Sequence, residues 1–312
     1  MSAVKRIAML LVVLIGVSIF SFTLSAVSTV DPAEAIARAQ IANASPELIE
    51  SIREEYQLDR PIVERYFSWL AGVLRGDFGT SFMTRNAVSA EIGRLLPKTL
   101  CLAGFALLLT VLLSLPIGAC CARFHNKVAD HIIRWLTVLG ICIPVFWLGF
   151  LLLLQFAVKI PLFRVTPEPG IKGYILPAIT LAIPSLCSAI RLFRASLLKE
   201  MSQDYIAYYR SRGLGRGRVL WTHAFRNALP PLITLFASQA GAMIAGSAIA
   251  ESIFSIKGFG VFLIEAVIAH DLPVISAAAL VIAGIFVLLN LLAEITGRLL
   301  CPRIASREVT NA

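Results

Sequence analysis

Six long uncharged runs decide what this chain can fold into: residues 7–30, 99–122, 135–158, 174–190, 227–250 and 272–293. A helix of about 20 apolar residues crosses the hydrocarbon core of a bilayer. Within lipid each backbone N–H and C=O must be paired inside its own segment, so such runs fold as helices. Of the 312 residues, 58% are hydrophobic and 15% charged, well below the ~25% charged of soluble domains. The fold class that follows is an all-α integral membrane protein with six transmembrane helices. The run 174–190 is the shortest and carries Pro177 and Pro184. It either kinks there or continues past Arg191, whose side chain then snorkels. The first run follows Lys5-Arg6 and is too long for the core of a signal peptide, so a retained first helix is expected.

The flanking charges give the orientation. With the N-terminus inside, the inner segments 1–6, 123–134, 191–226 and 294–312 carry sixteen Lys and Arg, against four on the short outer loops 159–173 and 251–271. Positive charge is retained on the cytoplasmic side, so both termini are expected there. The long segment 31–98 has eight basic and ten acidic residues; long segments translocate regardless of charge. The expected organisation is a first transmembrane helix over 1–30, a periplasmic helical segment over 31–98, a five-helix membrane core over 99–298 with a cytoplasmic loop at 191–227, and a cytoplasmic tail over 299–312. Within 31–98, Ser45-Pro46-Glu47 is an N-cap, a proline at the first helical position and an acid. A helix through Tyr56 is predicted, then a break at Leu58-Asp59-Arg60-Pro61, a second helix over 62–74, and a turn at Gly76-Asp77-Phe78-Gly79. Short helices on the membrane surface are expected there rather than a catalytic domain.

A net charge of +9 could indicate nucleic acid, but the basic residues sit in short loops beside apolar spans. The six cysteines, Cys101, Cys120, Cys121, Cys142, Cys187 and Cys301, avoid the outer segment and form no metal-ligand spacing, so they are assigned as packing thiols. The six runs contain no Asp, Glu, His, Lys or Arg. A proton-coupled carrier or an intramembrane protease would need such groups at membrane depth. Their absence points to a path opened by work done elsewhere, with a secondary carrier as the remote alternative. Gln155, Gln239 and Asn290 are the notable polar residues within the runs; they either join helices by hydrogen bonds or line a neutral polar path. In the fifth run Ser238, Ala242 and Gly246, and likewise Ala237, Gly241 and Ala245, recur every fourth residue, a spacing that permits close packing against a neighbouring helix.

The insert 204–231 is basic and largely polar, with Arg210, Arg212, Arg216, Arg218 and Arg226 against Asp204. Its pattern predicts a polar helix over 205–212, a break over 213–217, and a second helix from Arg218. This is the shape of a docking element for a soluble cytoplasmic protein. Gly213-Leu214-Gly215-Arg216-Gly217 follows no strand and lacks a Gly-Lys-Ser/Thr ending, so it is assigned to the turn rather than to a phosphate. His223 has no second ligand at metal spacing.

These residues resemble the cytoplasmic loop of ABC-importer permeases. Gly213 falls on the loop's glycine, Ala207-Tyr208-Tyr209 stand in place of Glu-Ala-Ala, and Asp204-Tyr205, Gly213-Leu214 and His223-Ala224-Phe225-Arg226-Asn227-Ala228 resemble the peptide and nickel branch. Leu58-Asp59-Arg60-Pro61, Tyr66, Trp69-Leu70 and Gly76-Asp77-Phe78-Gly79-Thr80-Ser81 resemble its outer segment. Glu251, Ile253-Phe254 and Gly258-Phe259-Gly260 resemble a further block, with Lys257 in place of its proline. Asp271-Leu272-Pro273-Val274-Ile275 resembles the opening of the last helix, and Pro302-Arg303 the tail, with Cys301 in place of Asp.

The resemblance covers nearly the whole chain. It implies the first permease subunit of a dipeptide, oligopeptide or nickel importer in a bacterial cytoplasmic membrane. Implied partners are a second homologous permease, two ABC ATPases that hold the ATP and magnesium, and a periplasmic or lipid-anchored substrate-binding protein. No catalytic residue, metal or cofactor is expected on this chain. The implied ATPase-coupling residues are Tyr205, Arg212, Gly213, Leu214, Arg216, His223, Arg226 and Asn227, with Leu214 as an apolar knob. Asp77, Phe78, Gly79, Glu251 and Phe254 are implied near the outer mouth. Peptides are the expected substrate, with nickel or a metallophore chelate as the alternative.

Overall fold

A computed structural model describes residues 3–26, 44–165 and 170–300, with residues 31, 33, 34, 36, 37 and 41. The end of the first apolar run and the tail motif with Cys301 lie outside the described residues. In chain order the helices are α1 (Ala3–Ala26), α2 (Pro46–Glu55), α3 (Ile62–Leu74), α4 (Val88–Arg123), α5 (Val128–Cys142) and α6 (Val145–Leu153). A π-helical turn, Leu154–Lys159, extends α6. After it come α7 (Lys172–Met201), α8 (Asp204–Ser211), α9 (Arg216–Val219), a π-helical turn (Leu220–Ala224), α10 (Phe225–Ala228), α11 (Pro230–Ile253), α12 (Phe259–Ile268) and α13 (Leu272–Leu300). Among the described residues all regular elements are helical, apart from one antiparallel bridge between Thr80 and Ala87.

The apolar runs account for the long helices, with three differences. Four helices, α4, α7, α11 and α13, are long and apolar enough to cross a membrane, and α5 with α6 makes a fifth if the bent pair is one crossing. Helix α1 runs 24 residues, Ala3–Ala26, and its described apolar part is Val12–Thr23. The third run is not one straight helix: α5 and α6 meet at 101°. Pro144 lacks the N–H that would continue the ladder, and Ile143 before it is extended (φ −71°, ψ 122°), as a residue preceding proline prefers. The fourth run is longer than its apolar part, because α7 continues past Arg191 to Met201 with Pro177 and Pro184 inside it. The second begins at Val88, eleven residues before its apolar stretch.

The chain divides into two compact units. The first contains Met1–Thr99 and Lys257–Val287. Its core joins Val88, Ile92 and Leu95 of α4 to Phe259, Phe262 and Ala266 of α12 and to Val274, Ala277 and Ala278 of α13. The predicted cap of α2 is present, with Ser45 accepting from the Leu48 N–H. Asp271 is fully buried and ties two segments together. Its Oδ2 accepts from Ser81 Oγ at 2.6 Å and from the Met83 N–H at 3.0 Å, while Oδ1 accepts from the Val274 N–H in the first turn of α13. The acid at the opening of the last helix is thus a cap and a cross-link at once.

The second unit contains Leu100–Ile256 and Leu288–Ala312. Here α7 is central, packing on α5, α6 and α11. Gly140 of α5 lies so near α7 that a Cβ would overlap Cys187 Sγ, so only glycine permits this approach. Cys187 is buried, and the five described cysteines are free thiols.

Candidate functional site

The basic insert folds as a polar cap on an apolar base. Gln203 is extended (φ −77°, ψ 153°) and ends the run of α7, so α8 starts after only Ser202 and Gln203. Helix α8 buries one residue, Ile206, against Phe193 and Leu197 of α7, Ala119 and Ala122 of α4, and Val219, Leu220, Ala224, Ala228 and Leu232. Such a contiguous cluster gives a short helix the support that eight residues lack alone. The expected turn follows α8: Gly213 has φ +86°, the left-handed region that suits glycine, and an added Cβ would meet nothing within 4 Å.

The bracing residues meet above this base. Tyr205 donates its hydroxyl hydrogen to Glu200 Oε2 at 2.7 Å and accepts from Asn227 Nδ2 at 3.1 Å, joining α7, α8 and α10. Burial pushes the Tyr205 hydroxyl up to about 12; the Asn227 bond opposes this and Glu200 adds to it. Because the folded value lies above the ordinary 10.0, this contribution is full below pH 10 and is lost as pH rises through about 12. His223 stacks on Tyr209, with centroids 4.0 Å apart and planes 9° apart, and the guanidinium of Arg212 lies 4.7 Å from the centre of the Tyr208 ring. Replacing Tyr205 by Phe should leave Glu200 and Asn227 unpaired at a cost of about 1 kcal/mol. Hydrogen exchange at the amides of 204–211 should then quicken roughly fivefold; unchanged exchange would show that the bridge does not hold α8.

Several predicted residues are therefore brought together and one is repositioned. Tyr205, His223 and Asn227 make the contacts just described, Arg212 and Gly213 are exposed at the turn, and Arg226 is exposed on α10. The side chain of Arg216 lies outside the described residues. Leu214 does not stand clear: it is half-buried against the apolar base, because its backbone N–H turns back to the Tyr209 carbonyl at 3.3 Å. The large apolar side chains exposed on the insert are Trp221, 48% accessible, and Tyr208, 53% accessible and one of the two tyrosines standing in place of Glu-Ala-Ala. That substitution was the sequence signal for it.

The other predicted residues are spread out. Asp77 is exposed, its Oδ1 accepting from the Gly79 N–H at 2.9 Å, and Phe78 packs on the core of the first unit. Asp77 and Gly79 border a cleft of about 380 Å³ that includes Tyr56, Trp69, Phe82 and Pro273. Glu251 is fully buried on α11 and Phe254 is buried at its C-cap, so in this chain both face the interior rather than an open surface. Gln239 Nε2 donates to the Ser185 carbonyl at 3.1 Å, joining α11 to α7, while its Oε1 is buried without a hydrogen-bond partner among the described residues. Gln155 is exposed on the first π-helical turn and Asn290 is half-buried on α13.

A buried ion pair escaped the sequence reading. Arg194 of α7 grips Asp130 of α5 with two bonds, Nε to Oδ1 at 2.6 Å and Nη2 to Oδ2 at 2.7 Å, and the Asn126 N–H adds a third at 3.0 Å. The carboxylate is fully buried and the guanidinium 16% exposed.

Comparison with known proteins gives the family. Residues 114–306 match the family described as binding-protein-dependent transport system inner membrane component, and residues 2–103 match its N-terminal counterpart. A putative peptide transport system permease protein of Brucella abortus is 35% identical over 308 residues, covering 96% of this chain and 97% of the relative. The oligopeptide transport system permease protein AppB of Bacillus subtilis is 32% identical, covering 96% and 98%. The metal-staphylopine import system permease protein CntB of Staphylococcus aureus is 31% identical, covering 96% of each. With both family regions matched across its long apolar helices, the chain belongs to the inner-membrane permeases of binding-protein-dependent ABC transport systems, multi-pass proteins of the bacterial cytoplasmic membrane.

Proposed function

We propose that this chain forms half of the translocation path of an ATP-driven importer, with six spans and both termini in the cytoplasm. The excess of positive charge on the inner segments supports that orientation. A second homologous permease supplies the other half, two ATPase subunits bind ATP and magnesium below, and a soluble or lipid-anchored binding protein delivers substrate above. The chain itself performs no bond chemistry and binds no metal or cofactor. The organisation proposed for it is a first helix over 1–30, a periplasmic segment over 31–98, a membrane core over 99–298 with a cytoplasmic loop at 191–227, and a tail over 299–312.

The observation that carries this reading is α8 with its turn. An exposed strip of Tyr208, Arg210, Arg212 and Gly213 stands on an apolar base that includes α7 and α11. Such a strip seats in a groove of one ATPase; Tyr208 is its knob, Gly213 allows close approach, Arg212 and Arg216 supply charge, and Tyr205, His223, Arg226 and Asn227 hold it in place. Asp77, Phe78 and Gly79 shape the outer surface near the binding protein, and Glu251 and Phe254 belong near the outer mouth. Gln155, Gln239 and Asn290 line or brace a neutral path. The transported substrate is a peptide, the class named for the Brucella and Bacillus relatives. The staphylopine relative favours a metallophore chelate or nickel as the second reading.

Uptake by cells lacking and then regaining this chain tests the substrate. Restored accumulation of labelled oligopeptide, with none of a nickel chelate, is the expected result. The reverse pattern would reject the peptide assignment. Uptake that persists without any ATPase subunit would reject the importer.

A further inference from the structure

Helices α5 and α7 enclose a cleft of about 550 Å³ whose chemistry the coupling loop does not use. Its walls include His131, Arg134, Trp135, Val138, Arg191 and Arg194. Among the described residues no acid lines it, and of its arginines Arg194 alone has a carboxylate partner, Asp130. Arg134 and Arg191 are exposed and make no ion pair among the described residues. The two charges therefore stand unbalanced where the apolar part of α7 ends. Beside them the wall turns apolar: Trp135 is 71% exposed, and Ile132, Leu136 and Leu139 continue an open apolar surface along α5.

We propose that this cleft binds the headgroup of an anionic phospholipid. A phosphodiester accepts hydrogen bonds from planar guanidinium forks, which hold phosphate oxygens in pairs. A basic pocket between membrane helices on the side rich in Lys and Arg is a recognised setting for such headgroups. The Arg194–Asp130 bond fixes one guanidinium and cancels its charge, leaving Arg134 and Arg191 to attract the anion. The glycerol and acyl chains run along Trp135 and Val138, with the indole at the level where aromatic rings settle between water and hydrocarbon. This combination of charge and adjoining apolar wall matches a lipid; a soluble phosphate would need only the charged half. The proposal rests on the membrane embedding of α5 and α7 and not on the coupling loop.

The test uses the complete transporter in detergent, wild type and Arg134→Gln/Arg191→Gln, titrated with phosphatidylglycerol and with phosphatidylcholine and read by native mass spectrometry. Both altered side chains are exposed, so the variant should fold and assemble. Wild type should prefer phosphatidylglycerol, and the double variant should bind it about 25-fold more weakly, roughly fivefold for each arginine beside a membrane surface. Phosphatidylcholine binding should not change. Equal phosphatidylglycerol binding by the two proteins would overturn the site. Displacement of the lipid by millimolar glycerol phosphate would show a soluble-anion site instead. Transfer of a photocrosslinker from position 135 to the second permease would show a protein interface there and would also overturn it. Co-purification of the ATPase in the same preparations scores the importer separately.

Discussion

Replacing Asp130 by Ala should destabilise the transporter by about 3–5 kcal/mol, because it strands a guanidinium that is largely buried. The Asp130 carboxylate has no exposed surface and takes three hydrogen bonds, two from Arg194 and one from the Asn126 N–H. Removing the acid leaves Arg194 desolvated and opens the end of α5 at the Asn126 turn. The thermal midpoint of the assembled complex should fall sharply, and membrane levels of the chain with it. Asp130→Leu combined with Arg194→Met should recover much of the loss, since well-packed apolar pairs often replace buried ion pairs without penalty. Recovery would identify the uncompensated charge as the cause. A single Asp130→Ala variant as stable as wild type would show that the pair contributes little.

Gly213→Trp should abolish the stimulation of ATP hydrolysis by the binding protein while leaving the membrane core assembled. Two effects combine here. A side chain at φ +86° strains the turn by about 1–3 kcal/mol, and the indole fills the open space over it where the ATPase is proposed to seat. Gly213→Ala separates them, since it has the strain without the bulk. We expect at least tenfold lower stimulated hydrolysis for Trp and an intermediate value for Ala, measured on reconstituted complex with and without binding protein. If the Trp complex assembles and is stimulated normally, the turn is not the coupling element and the proposed role of α8 fails.

Local signals in the sequence located what local physics controls. The Ser45 cap, the helix over 62–74, the helix expected over 205–212 and the glycine turn after it are each set by a few adjacent residues, and each appears in the fold, the last helix one residue earlier at Asp204–Ser211. The early start of α4 was within reach: Val88, Ile92 and Leu95 have helical spacing, and all three are buried. The break at Pro144 was not, because Pro177 and Pro184 lie in similar apolar surroundings and α7 absorbs both. Nothing local distinguishes a proline that breaks a helix from one that a helix tolerates; packing with other helices decides. The Asp130–Arg194 pair joins residues 64 positions apart, and the bridge from Ser81 to Asp271 spans 190. One sequence lists those charges and caps without stating which meet. The partial burial of Leu214 was out of reach for a similar reason, since its exposure depends on where the turn points.

The joint between α7 and α8 has a mechanical consequence. At ~1.5 Å per residue, the 30 residues of α7 form a rod of about 45 Å. Only Ser202 and Gln203 separate it from α8, and the Tyr205–Glu200 bond crosses that joint. A load applied to α8 therefore reaches α7 with almost no slack. The neighbouring α5–α6 pair is already interrupted at Ile143-Pro144, so its angle can change there without breaking an intact run of hydrogen bonds. In the proposed importer, α7 would serve as a lever arm, and the pair packed against it as a compliant joint that absorbs the stroke.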